Sequence, residues 1–378
     1  MKTSNPFHFA DYGGPEYFCD RVQETEALIS NIENGRNTTL ISPRKYGKTG
    51  LILHTFAAIQ KNTPHYECIY VDIFATRNLA EFLNTLSEAI LKKFHEKTTL
   101  GQKLKTLLMS MRAIFSWDQL TGVPQIQMGF QLETEKTRTL ENLLEILEQA
   151  PQPIVLAIDE FQQIAHYTDC NMEALLRSHI QFMHNVRFIF SGSQQTVMTE
   201  MFLSPKRPFF ASTSFLSIEK IDMTTYGEFI KHHFEANGIR VEDKAIEQIL
   251  VWTKRHTFYT QHICNQIFLK SPQEVNLEVV NEACDEALRL YTPSFIQYET
   301  LLTDVQLKIL IAIAKEDAVS APTAAAFLRK YNINGTSSAR RTLQSLMDKE
   351  LVLAIPQKGR TEYQVYDLFY SRWLAREF

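Results

Sequence analysis

Short, nearly continuous apolar runs recur along the first half of the chain: TTLIS (38–42), YECIYVDIF (66–74), PIVLAID (153–159), VRFIFSGS (186–193) and FLSIEKI (215–221). Runs of this length predict strands buried on both faces of a parallel sheet. Between them apolar residues return at helical spacing, in GLILHTFAAIQ, over most of 77–111 and over 137–149. QIQMGFQLE (125–133) alternates as a strand or small hairpin would. Strands alternating with helices predict an α/β domain whose ligand lies at the carboxyl ends of the strands.

From about Thr224 the pattern is helical only, through TYGEFIKHHFEANG, VEDKAIEQILVWTK, FYTQHICNQIFLK and LEVVNEACDEALRL. Pro293 interrupts that periodicity. The last 80 or so residues then predict helices at DVQLKILIAIAKE, PTAAAFLRKY and SSARRTLQSLMDKE, followed by a hairpin of LVLAI and TEYQVYD around PQKGR. Three helices and a hairpin make a winged helix. The expected division is a core over 1–221, an all-α lid over 222–292 and a winged-helix domain over 293–378.

The strongest chemical signal is SPRKYGKT (42–49), between an expected strand and an expected helix. A polyphosphate is held by a tight loop whose backbone N–H groups turn inward at a helix start, with one lysine reaching the β- and γ-phosphates. Gly47 permits close approach, Lys48 supplies charge and Thr49 offers a hydroxyl to Mg²⁺; Ser42, Pro43, Arg44, Lys45, Tyr46 and Gly50 complete the expected nucleotide-binding set. Ser42 stands where the pattern G-x-x-x-x-G-K-[ST] has its first glycine, and Pro43 can fix the turn instead. Arg44 and Lys45 read as ligand contacts or as surface charge, with surface favoured.

VLAIDEF (155–161) ends a buried strand in two acids, which assigns Asp159 to the metal and Glu160 to the attacking water. In FIFSGSQQ (188–195), Ser191 or Ser193 can meet the γ-phosphate or serve as a helix cap. Arg207 in SPKRPFFAS reads equally as a γ-phosphate-responsive charge and as a solvated surface arginine. In the winged helix, burial of Ala339, Leu343 and Leu346 leaves Arg340 and Arg341 for duplex DNA or a protein partner, with Lys358 and Arg360 on the wing. The charge there is mild: residues 293–378 hold 11 Lys and Arg against 9 Asp and Glu, a net of +2.

Composition narrows the classes. At 378 residues, 44% hydrophobic and 22% charged, the chain predicts two or three folded domains and little disorder. A net charge of −4 excludes a molecule-wide positive field, so any nucleic-acid site is local. Five scattered cysteines without a C-x-x-C pair read as buried thiols of a reducing compartment, and His232, His233, His256 and His262 as packing or surface residues. No signal-peptide core or membrane-length apolar run is present in the sequence, which predicts a cytoplasmic location without membrane contact.

With these residues in place, the chain resembles the archaeal-type ATPases of the STAND branch, relatives of AAA+ proteins. The matching pieces are Phe18 to Arg21 (Phe-x-x-Arg), LISPRKYGKTGLI, VLAIDEFQQI, FIFSGSQQTVM, RPFF and YDLFYSRWLARE, spread over nearly the whole chain. The resemblance implies an ASCE P-loop core with a parallel sheet, a helical lid and a winged helix. It implies ATP and Mg²⁺ as ligands, slow hydrolysis that resets a conformational switch, and Arg207 as a nucleotide-responsive arginine. Where relatives carry a G-x-P turn in the lid, this chain has Arg255-His256-Thr257-Phe258. A homo-oligomer that supplies an arginine between subunits stays open, as does a binding module with a purely structural ATP site.

Overall fold

The computed structural model describes residues 5–94, 98–117, 124–333, 335–357 and 359–378. The chain forms two compact units, Ala10–Asp222 and a second made of Met223–Phe378 with the amino-terminal segment through Phe9.

The first unit is built on five parallel strands, β1 (Thr38–Ile41), β2 (Glu67–Asp72), β5 (Ile154–Asp159), β6 (Val186–Gly192) and β7 (Ser214–Ser217), in the order β2-β5-β6-β1-β7. A small antiparallel ribbon, β3 (Ile114–Trp117) with β4 (Pro124–Gln127), stands apart from it. The helices are α1 (Val22–Glu33), α2 (Lys48–Asn62), α3 (Leu79–Lys93), α4 (Thr99–Ser110), α5 (Glu133–Glu148), α6 (Met172–Ile180) and α7 (Gln195–Leu203). All six residues of β5 are buried. Alternation along it serves two cores: Val155 and Ala157 face α1 and α2 with Leu28, Leu51, Ile52 and Phe56, while Ile154, Leu156 and Ile158 face the other layer with Leu86, Leu140, Leu143 and Leu176.

Because β6 lies between β1 and β5, the carboxyl ends of these three strands are neighbours. The loop after Ile41, the residues after Gly192 and the acids closing β5 therefore converge. This is the P-loop arrangement the sequence pattern predicts.

The second unit contains α8 (Met223–Glu235), α9 (Asp243–Trp252), α10 (Thr257–Lys270) and α11 (Leu277–Thr300), with a two-residue parallel pairing of β8 (Arg240–Val241) and β9 (Glu274–Val275). A winged helix follows: α12 (Asp304–Glu316), α13 (Ala325–Lys330), α14 (Thr336–Asp348), the antiparallel β10 (Val352–Gln357) and β11 (Arg360–Val365), and α15 (Leu368–Glu377). Ala339, Leu343 and Leu346 of α14 are buried as the pattern requires. Within its described residues no helix is long and apolar enough to cross a membrane.

The helical spacing over most of 77–111 is realised as two helices, α3 and α4. Three local expectations are corrected. The alternating 125–133 run is strand only to Gln127. Pro293 does not end a helix: α11 runs through it to Thr300. Phe295, buried against Tyr370 and Trp373, holds the turns beyond the proline and offsets its lost hydrogen bond. The start of the chain belongs with the helices from Met223 onward, not with Ala10–Asp222, because Phe7 is buried against Phe229, Phe234 and Phe268 while Asn265 Nδ2 donates to Phe7 O at 2.7 Å.

Candidate active site

The loop after β1 turns through Lys45 (φ 63°) and Gly47 (φ 95°, ψ 20°), which caps the start of α2. Gly47 sits in the left-handed region where a side chain strains the backbone, so the second motif glycine is needed for the turn. Ser42 is buried and lies outside the positive-φ residues, and its Oγ donates to Pro43 O at 3.1 Å. A backbone that any residue adopts explains why serine is accepted in place of the first glycine.

Lys48 is 6% exposed, and its ammonium donates to the main-chain oxygens of Ser42 (3.0 Å) and Pro43 (3.1 Å). Burial pushes its pKa down, opposed by the charges of Glu160 and Asp159. Its described acceptors are neutral carbonyls, so a polyphosphate reached by this amine is not competing with a salt bridge.

Thr49 Oγ1 donates to Asp159 Oδ2 at 2.7 Å, joining the start of α2 to the end of β5. The same oxygen accepts from Tyr70 OH at 2.8 Å. Tyr70 lies on β2 opposite Ala157, and sequence reading missed it. The only signal was a hydroxylated aromatic in the buried IYVDIF run. Its phenol is pushed well above its ordinary range by burial and then by Asp159, so it remains a donor. Asp72, opposite Asp159 across the sheet, is pushed up by burial and by the charges of Asp159 and Glu160.

Glu160 has φ 55°, a left-handed conformation uncommon for a residue with a side chain. Its Oε2 accepts from Ser193 Oγ at 2.7 Å and from Gln162 Nε2. Of the two serines singled out in sequence, Ser193 meets the acid, whereas Ser191 Oγ is buried without a partner among the described residues. Gln162, also missed, needs room that only Gly192 provides: a Cβ there would lie 2.5 Å from Gln162 Oε1 and 2.6 Å from Met198 Cγ and Sδ.

Arg44 departs from the favoured surface reading. It is half-buried, its Nε reaches Ser193 Oγ at 3.5 Å and its guanidinium lies 5.7 Å from the Phe74 ring centre, while Lys45 is exposed. Tyr46 and Gly50 stay in the turn and first helical turn, where a Cβ on Gly50 would meet the Phe18 ring at 3.1 Å. Arg207 is neither simply solvated nor bonded to the phosphate-loop residues by any described contact. It pairs with buried Glu173 of α6 and lies 3.8 Å from Glu200 of α7. In the winged helix Arg340 and Arg341 are exposed, Arg360 pairs with Glu362 at 2.7 Å, and Lys358 lies outside the described residues.

The geometry fits a magnesium-bound nucleotide. Thr49 and Asp159 bring together two hard oxygen donors, and Lys48 places a buried cation beside the loop.

Comparison with known proteins agrees with this fold. A Walker-type ATPase of Pyrococcus abyssi superposes with a TM-score of 0.66 at 17% identity, over 98% of this chain and 99% of that one. The Aeropyrum pernix ORC2 protein, in ADPNP–ADP complexes, gives 0.62 at 15%, over 99% and 96%. The ORC1 protein of the same organism, in complex with DNA, gives 0.54 at 12%, over 96% and 94%. Identities this low show a shared fold. No curated protein matched the chain by sequence. Residues 293–376 match a probable winged helix domain. Residues 18–254, more than half of the sequence, match the ATPase domain predominantly from Archaea, and the chain belongs to that family of P-loop ATPases.

Proposed function

We propose that the chain hydrolyses ATP to ADP and phosphate with Mg²⁺, slowly, and that the cycle drives a conformational switch. The observation that carries this is the Glu160 carboxylate, set in a left-handed residue at the end of β5 and held by Ser193 and Gln162 beside the Thr49–Asp159 pair. A purely structural nucleotide site does not need a second acid held in this way; a site that resets does.

The residues divide the work. Backbone N–H groups of the 42–50 loop and Lys48 hold the phosphates, and Thr49 with Asp159 holds the metal, which when bound neutralises charge on the phosphate oxygens. Tyr70 fixes the Asp159 carboxylate. Glu160 orients the attacking water and accepts its proton, and Ser193 keeps that carboxylate in place while joining it to Arg44. Arg207 responds to nucleotide by exchanging Glu173 for phosphate. The two compact units, between which the chain passes after Phe9 and after Asp222, supply the moving parts of a switch.

The test is equilibrium binding of ATP with and without Mg²⁺, alongside limited proteolysis in each state, for wild type and Lys48→Ala. Binding by wild type, loss of binding in Lys48→Ala and a nucleotide-dependent cleavage pattern support the reading. Binding that survives Lys48→Ala, or a pattern indifferent to nucleotide, contradicts it.

Exposed Arg340 and Arg341 on α14 favour a second role, duplex DNA binding through the winged helix. In that role Arg340→Ala/Arg341→Ala weakens a salt-dependent association without altering ATP binding; an unchanged association removes the role.

A further inference from the structure

A polar cavity, of about 250 Å³, lies in the first unit among the α1–β1 turn, the end of α6 and the start of β6. Asn37 precedes β1 and Arg187 is the second residue of β6, so the cavity opens at the amino ends of the strands. Ser42 and Ser193 follow their carboxyl ends. At about 3.3 Å per strand residue, Arg187 lies roughly 20 Å along the chain from Ser193, which follows the carboxyl end of β6. It is a separate site.

Arg177, Arg187 and His184 line the cavity and no Asp or Glu does. Arg187 is half-buried, with its Nη1 donating to Val186 O at 3.0 Å and Met183 O at 3.4 Å. Gly35, at φ 72°, gives this guanidinium its space: a Cβ there would meet Nη2 at 3.3 Å. Neither arginine has an ion pair among the described residues. The acids of the neighbourhood are engaged elsewhere, Glu141 at 3.7 Å from His179 and Glu148 with the backbone N–H groups of His184 and Asn185. The carboxyl end of α6 accounts for a cation at Arg177. It does not account for a second arginine converging from a strand, where like charges repel unless an anion joins them.

We propose that this cavity binds a small phosphate-bearing anion, inorganic phosphate or a phosphomonoester. Two guanidinium groups offer the forked donors that phosphate oxygens accept in pairs. The Asn37 side chain, oriented by Phe188 N donating to its Oδ1 at 2.9 Å, adds a neutral donor.

The test uses the 378-residue Lys48→Ala chain, in which the phosphate loop is disabled, titrated calorimetrically with inorganic phosphate and separately with glycerol phosphate. Saturable binding is expected, weakened about tenfold or more by Arg177→Ala, as loss of one charge-assisted contact implies. Arg187→Met is expected to do the same; should it fail to fold, Arg177→Ala decides alone, since that side chain makes no described bond. Tighter binding of glycerol phosphate identifies a phosphomonoester and equal binding identifies free phosphate, and either supports the site. Absence of saturable binding, or binding indifferent to Arg177→Ala, overturns it.

Discussion

Gly192→Ala tests whether the last residue of β6 is a spacer for the acid that prepares water. No left-handed backbone demands glycine here; the demand is space. A Cβ would stand 2.5 Å from Gln162 Oε1 and 2.6 Å from Met198 Cγ and Sδ, against contacts of about 3.5–4.0 Å for carbon atoms at optimal separation. Each neighbour must retreat by roughly 1 Å. Met198 is fully buried in the aromatic-rich core, and Gln162 is pinned through its Nε2 to Glu160. Overpacking of this kind costs about 1–3 kcal/mol, which for a unit of this size lowers the melting temperature by about 2–12 °C. Because the retreat of Gln162 removes one of the two donors on Glu160 Oε2, turnover falls more than ATP affinity. Calorimetric melting, equilibrium ATP binding and steady-state phosphate release on the same preparations measure the three quantities. A variant that melts and turns over like wild type refutes the spacer role.

Three further outcomes follow from single contacts. Tyr70→Phe removes a donor to Asp159 Oδ2 while Thr49 remains, and the urea midpoint is expected to fall by the equivalent of about 1–2 kcal/mol; an unchanged midpoint removes Tyr70 from the site. Arg207→Ala leaves buried Glu173 without its cation, so stability drops and Glu173→Gln in the same chain recovers part of it; recovered stability without recovered turnover separates the nucleotide role from the structural one, and recovery of both refutes the nucleotide role. Burial pushes the Cys68 thiol from 9.0 up to about 12, so the folded chain keeps a proton that the unfolded chain releases. That stabilisation is full below pH 9 and is lost as pH rises toward 12, by about 1.4 kcal/mol at pH 10. Denaturation between pH 8 and 10 should therefore show a shallower decline for Cys68→Ala than for wild type, and parallel declines contradict the assignment.

What was legible in sequence was local and periodic. The strand–loop–helix around Lys48 and the buried strand ending at Asp159 are each one continuous segment, and the apolar runs alone gave four of the five sheet strands in good outline. The fifth is shorter than FLSIEKI, ending at Ser217: Ile218 N donates one last bond to Ile41 O at 3.1 Å and the chain then leaves the sheet. What was not legible depends on register between distant segments. Tyr70 reaches Asp159 only because β2 pairs with β5 residue for residue, and Gln162 reaches Glu160 only because Gly192 on another strand lacks a side chain. Arg207 illustrates the limit: nothing in SPKRPFFAS announces that Glu173, on a helix preceding β6, is its partner. Pro293 failed as a helix end for a related reason, since the aromatic contacts that carry α11 past it come from Tyr370 and Trp373, far along the chain.

Glu160 is the residue on which the hydrolytic reading depends, and Glu160→Gln keeps its shape while removing its basicity. The decisive measurement is phosphate release from Mg²⁺-ATP by wild type and by this variant, paired with equilibrium ATP binding by both. Binding within a few-fold of wild type, with phosphate release reduced by about a hundredfold or more as loss of a general base implies, is the predicted result. Equal release by the two proteins, or no release by wild type that binds ATP, with duplex DNA absent or present, contradicts hydrolysis through Glu160.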